Sequence, residues 1–158
     1  MKNILIKLSV ITLFVFFGQQ TLALQFNSGN IASSVMSRDV VSGDFDNDGD
    51  IDFYVGNEFG QNYWHENNGN GSFSFNEITG DIGPTKSVGV ADFNGDGNLD
   101  LYAGNYNGVD GNENHLWIGD GNGGFSPNHI TNDNGLTSSV LLEDFDNDGD
   151  VDIYVVNN

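Results

Sequence analysis

The sequence predicts an all-β protein. Four-stranded antiparallel sheets of propeller-blade size follow one another along the chain as two complete units and the first half of a third, so the array is incomplete. Three observations carry this. An aspartate-rich motif returns at near-constant spacing, apolar and polar residues alternate on either side of it, and six Asn-Gly dipeptides punctuate the runs between.

The motif "DFDNDGDID" at Asp44–Asp52 recurs as "DFNGDGNLD" at Asp92–Asp100 and as "DFDNDGDVD" at Asp144–Asp152, with starts 48 and 52 residues apart. A second motif follows the first two, "NYWHENNGNGSF" (Asn62–Phe73) and "NHLWIGDGNGGF" (Asn114–Phe125). Its closing phenylalanine stands 19 residues before the next aspartate motif in both cases, Phe73 before Asp92 and Phe125 before Asp144. The extra residues of the second repeat therefore fall in "NYNGVDGNEN", Asn105–Asn114, where lengthening a loop costs little. A period near 48 residues with landmarks in register points to a solenoid or a propeller.

Taken in order, the chain begins with Lys2 and Lys7, the apolar run "LSVITLFVFF" (Leu8–Phe17) and the small-residue pattern Thr21-Leu22-Ala23. This predicts a signal peptide over residues 1–23, cleaved near Ala23, and an exported protein that is secreted, periplasmic or held at the cell surface. The apolar run is about half of the roughly 20 residues a membrane span needs, so no membrane insertion is expected after cleavage. Residues 24–158 carry the repeats. Cysteine is absent, which excludes disulfides and lipid attachment through a processed cysteine. A small exported core without disulfides needs another staple.

Within a repeat, "SVGVA" (Ser87–Ala91) leads into the aspartate motif and "LDLYAG" (Leu99–Gly104) leaves it with period-two alternation. One face of the three outgoing strands carries Ile51, Phe53 and Val55, then Leu99, Leu101 and Ala103, then Val151, Ile153 and Val155. Tyr54, Tyr102 and Tyr154 lie on the other. Asn-Gly pairs such as Asn68-Gly69 and Asn122-Gly123 supply the positive-φ turns that hairpins need. No helical periodicity occurs beyond the leader.

Charge narrows the function classes. The net charge is −19, and without the leader only Arg38 and Lys86 stand against 23 carboxylates. Nucleic acid and anionic membrane surfaces are excluded as partners. Disorder does not account for 12 Phe, 5 Tyr and 2 Trp set in alternating runs. A merely solvated acidic surface would scatter its acids, yet 13 of the 23 sit in the three motifs.

Counted from Asp44, oxygen-bearing side chains fall at positions 1, 3, 5 and 9, with Gly49 at position 6 to permit a sharp reversal. Oxygen donors on alternate residues of a tight turn converge on one point, and the carbonyl of position 7 can turn inward to join them. The cage suits Ca²⁺, and the absence of Cys and His from the loops disfavours softer metals. An EF-hand would place glutamate at position 12, where Val55, Ala103 and Val155 stand instead. Acidic turns that merely cap their own backbone are the plainer alternative. Three loops at equivalent places, each crowded with like charge, favour the cation.

These residues resemble the FG-GAP/VCBS repeats of integrin α-chain-type β-propellers, in their bacterial secreted form. "DFDNDGDIDFYVGN", "NNGNGSF" and "SVGVADFNGDGNLDLYAGN" carry the likeness, which extends over about Asp39–Asn158. The resemblance implies calcium held in the loop between adjacent strands of each blade. Its ligands would be Asp44, Asp46, Asp48, Asp50 and Asp52 in the first loop and Asp92, Asn94, Asp96, Asn98 and Asp100 in the middle one. In the third they would be Asp144, Asp146, Asp148, Asp150 and Asp152. At Asp50, Asn98 and Asp150 the backbone carbonyl is the expected donor. Propellers of this kind usually close with seven blades, so the sequence reads as the N-terminal part of a longer protein.

Trp64 aligns with Leu116 and His65 with Trp117, a swap of apolar residues that predicts packing between blades, with a sugar-stacking platform as the sharper alternative. His115 and His129 have no partners at catalytic spacing, and no nucleophile motif is present. Two functional readings follow. One is a non-catalytic, calcium-stiffened module that binds a glycan or a surface protein; the other is an accessory part of a larger secreted polysaccharide-active enzyme whose catalytic residues lie beyond Asn158.

Overall fold

The computed structural model describes residues 36–106, 113–128 and 135–158. The expected signal peptide, His129 and residues 107–112 of the lengthened loop lie outside the described residues. Among the described residues ten strands form: β1 (Ser37–Gly43), β2 (Asp52–Asn57), β3 (Gln61–Asn67), β4 (Phe73–Ile82), β5 (Thr85–Ala91), β6 (Asp100–Asn105), β7 (His115–Gly119), β8 (Phe125–Asn128), β9 (Thr137–Glu143) and β10 (Asp152–Asn157). They make two antiparallel four-stranded sheets, β1-β2-β3-β4 and β5-β6-β7-β8, and the pair β9-β10. No helix occurs among the described residues. The protein is all-β, built of propeller-type blades, as its sequence predicts.

Each aspartate motif joins the first strand of its sheet to the second. The residue before the motif pairs with the motif's last aspartate in all three units: Gly43 with Asp52, Ala91 with Asp100 and Glu143 with Asp152. A loop held at both ends by one ladder pair is short and sharply bent. The reversal passes through glycine at φ 94°, 88° and 100° (Gly49, Gly97, Gly149), a region that side-chain-bearing residues avoid.

The blades stack face to face, and the tyrosine face of one meets the aliphatic face of the next. Phe45, Tyr54, Trp64 and Ile78 of the first unit pack with Val88, Leu101 and Trp117 of the second, flanked by Val41, Val90, Leu99 and Phe125. Three edge-on aromatic contacts tighten this layer, at ring-centroid distances of 6.3 Å (Phe45–Trp64), 6.0 Å (Phe45–Phe125) and 6.2 Å (Trp64–Phe125). Each such side chain contributes about 1.5–3 kcal/mol on burial, so this layer dominates the stability of the stack. Trp64 and Trp117 are 5% and 4% exposed, in keeping with packing between the blades.

Close approach of the blades depends on a glycine in the second strand. A Cβ at Gly56 would lie 2.7 Å from Thr85 Cγ2 and 2.8 Å from Val88 Cγ1, and one at Gly104 would lie 2.6 Å from Thr137 Cγ2 and 2.9 Å from Val140 Cγ2. The third unit carries Val156 at this register and exposes it.

A line of polar groups, exposed at Ser37 and buried from Asn57 onward, also crosses the blades. Ser37 Oγ donates to Asn57 Oδ1 (2.9 Å), the Asn57 N–H to Asn62 Oδ1 (2.7 Å), Asn62 Nδ2 to Thr85 Oγ1 (2.9 Å), and Thr85 Oγ1 to Asn105 Oδ1 (2.9 Å). It continues from the Asn105 N–H to Asn114 Oδ1 (2.7 Å), which also accepts from Thr137 Oγ1 (2.9 Å). Asn62 and Asn114 open the second sequence motif, and this is the work they do: amides satisfied on both sides join neighbouring sheets without an unpaired polar group.

Candidate metal centre

In the first loop the carboxylates fold the backbone around themselves. Asp44 accepts the N–H of Asp48 on Oδ1 (3.1 Å) and that of Gly49 on Oδ2 (3.0 Å), Asp46 Oδ1 accepts the N–H of Asp48 (3.2 Å), and Asp48 Oδ1 that of Asp50 (2.8 Å). The third loop repeats every one of these bonds at Asp144, Asp146 and Asp148, with distances of 3.0–3.1 Å. Alternate side chains therefore turn to one side of the loop. One oxygen each of Asp44, Asp46 and Asp48 lies within 4.8 Å of the others, as does one each of Asp144, Asp146 and Asp152.

The middle loop differs, and its carboxylates are not among those that converge within 4.8 Å. Asp92 accepts the N–H groups of Gly95 (2.8 Å), Asp96 (3.1 Å) and Gly97 (2.8 Å), while the Asn94 amide donates to Asp96 Oδ2 at 3.0 Å. An amide at position 3 thus satisfies within the loop an oxygen that a carboxylate there would leave free. The donation from Gly97 is the largest influence on Asp92 and, with the other loop amides, lowers its pKa below the usual carboxylate value.

The ninth-position aspartates are placed by the hairpin. Asp52 and Asp100 are fully buried, and each accepts two backbone N–H groups: Phe45 (2.9 Å) and Asn67 (2.8 Å) on Asp52, Phe93 (2.9 Å) and Gly119 (2.9 Å) on Asp100. Burial is the largest influence on both and raises their pKa against these donations, with Asp48 and Asp44 adding to it at Asp52, and Asp96 and Asp92 at Asp100. Asp152 accepts from Phe145 in the same way (3.0 Å). Asp50 stands apart from the carboxylate group, for its Oδ2 lies against Gly69 of the β3–β4 turn, where it would be 2.4 Å from a Cβ.

No cationic side chain neutralises these loops among the described residues. Arg38 and Lys86 both pair with Glu58, with Lys86 at 3.3 Å. Asp46 also borders an open cleft of about 370 Å³ that it shares with Glu66, Glu77, Asn76, Asn122 and Trp64. Burial, then repulsion from Asp48, Asp52 and Glu66, raises its pKa despite the N–H of Asp48. The donor set is oxygen alone, anionic and preorganised by its own backbone, a chemistry that suits a hard divalent cation better than a soft one.

Two arrangements escape a reading by motif. Asn47 joins the first loop to the second blade, its Nδ2 reaching Asn98 Oδ1 at 3.1 Å and the Gly121 carbonyl at 3.2 Å. Residues far apart in sequence meet here, and no motif announces the contact: Asn at positive φ is ordinary, and Asn147 takes φ 62° at the same position of the third loop. The second is a buried cluster around Asp81, which accepts from the Tyr54 hydroxyl (2.5 Å) and the Asn62 amide (3.0 Å) and lies 3.5 Å from His115 Nδ1. His115, which looks isolated in sequence, thus has a carboxylate neighbour supplied by the end of β4. The hydroxyls beside that pair, Tyr54 and Thr85, are fully buried and committed to hydrogen bonds, so no nucleophile among the described residues faces it.

A family model for the FG-GAP-like repeat matches residues 44–103 and 100–155. No curated protein matches the chain. The matched segments begin at the first acidic loop and end within β10, covering every strand of the described residues except β1 and the last two residues of β10. The chain belongs to the FG-GAP-like repeat family.

Proposed function

We propose that this chain is a secreted calcium-binding propeller module without chemistry of its own, serving adhesion or ligand binding at or beyond the cell surface. The observation that carries the calcium reading is the repeated convergence of carboxylate oxygens, at Asp44, Asp46 and Asp48 and again at Asp144, Asp146 and Asp152, with no cationic side chain beside them among the described residues. Like charges this close repel by about 1 kcal/mol per pair even in bulk water, and a divalent cation reverses the sign of that interaction.

Calcium would be held by Asp44, Asp46, Asp48 and Asp52 with the carbonyl of Asp50, and by the corresponding residues of the middle loop (Asp92, Asn94, Asp96, Asn98, Asp100) and the third (Asp144, Asp146, Asp148, Asp150, Asp152). Bound there, it supplies charge neutralisation and a cross-link between successive strands. That is the staple a cysteine-free exported chain needs. The absence, among the described residues, of a nucleophile facing His115 and Asp81 supports a non-catalytic role, and the expected signal peptide supports export.

Equilibrium dialysis against ⁴⁵Ca²⁺ with metal-stripped protein tests the reading. Saturable binding approaching three ions per chain is expected, with loss of one ion each in Asp48→Ala, Asp96→Ala and Asp148→Ala. Binding of no calcium at millimolar free ion would remove it.

A further inference from the structure

Resting on the calcium reading, we propose that the first and middle acidic loops are coupled sites, so that an ion in the first strengthens binding in the middle one, and that Asn47 is the residue that couples them. Asn47 occupies position 4 of the first loop, between Asp46 and Asp48. Its side chain leaves its own loop and donates to Asn98 Oδ1 (3.1 Å) and to the Gly121 carbonyl (3.2 Å). Asn98 is position 7 of the middle loop, the residue whose carbonyl is the expected donor there, and its side-chain oxygen is the group Asn47 holds.

Packing at this point is tight. A Cβ on Gly121 would lie 2.2 Å from Asn98 Oδ1 and 2.5 Å from Asn47 Nδ2, so the β7–β8 turn clamps the pair from above. A second tie runs from the Gly123 N–H to the Phe45 carbonyl at 3.4 Å, and Phe45 is position 2 of the first loop. Ordering Asp46 and Asp48 around an ion therefore orders Asn47 between them, and with it one end of the bond to Asn98. Part of the ordering cost of the middle site is then met before its own ion arrives, which makes the coupling positive.

The repeat contains its own control. The middle loop has Gly95 where the first has Asn47, so no side chain extends from that position toward the third loop. The coupling belongs to the first pair of sites alone. Asn47 has φ 58°, which glycine adopts without strain, so Asn47→Gly deletes the contact and leaves every expected ligand in place.

Calcium titrations followed by NMR at the amides of Gly49, Gly97 and Gly149, one per loop, test this. Asp48→Ala, which disables the first site, should raise the midpoint at Gly97 by roughly three- to tenfold, the worth of one net hydrogen bond. In an Asn47→Gly background the same change should leave Gly97 where it was, and Gly149 should respond to neither. A Gly97 midpoint indifferent to Asp48→Ala in the otherwise native chain, or shifted equally with Asn47 present and absent, overturns the coupling while leaving calcium binding intact. Amides that do not respond to calcium at all overturn the calcium reading and the coupling together.

Discussion

Asp52 accepts the backbone N–H of Phe45 at 2.9 Å, fastening the second residue of the first acidic loop to the first residue of β2. Its other oxygen accepts the N–H of Asn67 at the end of β3, so one fully buried carboxylate ties a loop and two strands. Asp100 does the same for Phe93 and Gly119. Asp52→Ala strands two donors, each costing about 1–3 kcal/mol, and should destabilise the chelated protein by roughly 2–5 kcal/mol in urea unfolding. Asp44→Ala, whose donors lie at the exposed tip, should cost less than half as much without metal. Equal losses would mean that the ninth position has no special part in holding the loop.

Gly104→Ala drives a methyl group into Thr137 and Val140 and should cost about 1–3 kcal/mol as overpacking between blades. Val156→Ala, at the same register of β10 but 45% exposed, should change stability by less than about 0.5 kcal/mol. Thermal unfolding of both variants decides it; a tolerated Gly104→Ala would show that the blades are not held at this separation by the glycine.

Burial lowers the pKa of His65, whose Nε2 is enclosed with no hydrogen-bond partner among the described residues. The unfolded chain therefore takes up this proton first as pH falls below about 6.5, and stability is lost from there downward until the folded-state pKa is passed. His65→Leu removes that contribution. Relative to wild type the variant should gain stability as pH drops from 7.5 to 5, while effects of the many carboxylates are common to both and cancel. Parallel curves of urea midpoint against pH would show that His65 keeps its proton affinity on folding.

The parts legible in sequence were those written within one repeat. Asp44–Asp52 and its two copies declared a tight, oxygen-lined turn because ligand spacing, the position-6 glycine and the following alternation are all local. Phe53 and Leu101 show where this ends: they occupy the same place in the repeat, yet Phe53 is 37% exposed and Leu101 is fully buried, because a neighbouring blade covers the second while the first has only Phe73 of its own sheet beside it, at a ring-centroid distance of 5.5 Å. Asn47 and Asn98 are 51 residues apart and meet only because blades stack. The same holds for His115 and Asp81, and for Asn62, whose amide completes a line that begins in one sheet and ends in another. Contacts between repeats leave no spacing rule in a single sequence.

Thermal unfolding of the same protein sample with excess chelator and with millimolar calcium tests the central claim most directly. With free calcium at about ten times Kd each loop contributes about 1.4 kcal/mol, so three loops should raise the midpoint by well over several degrees in a domain of this size. Magnesium, smaller and slower to shed its water, should raise it far less at equal concentration. Superimposable melting curves in chelator and in calcium would contradict the account.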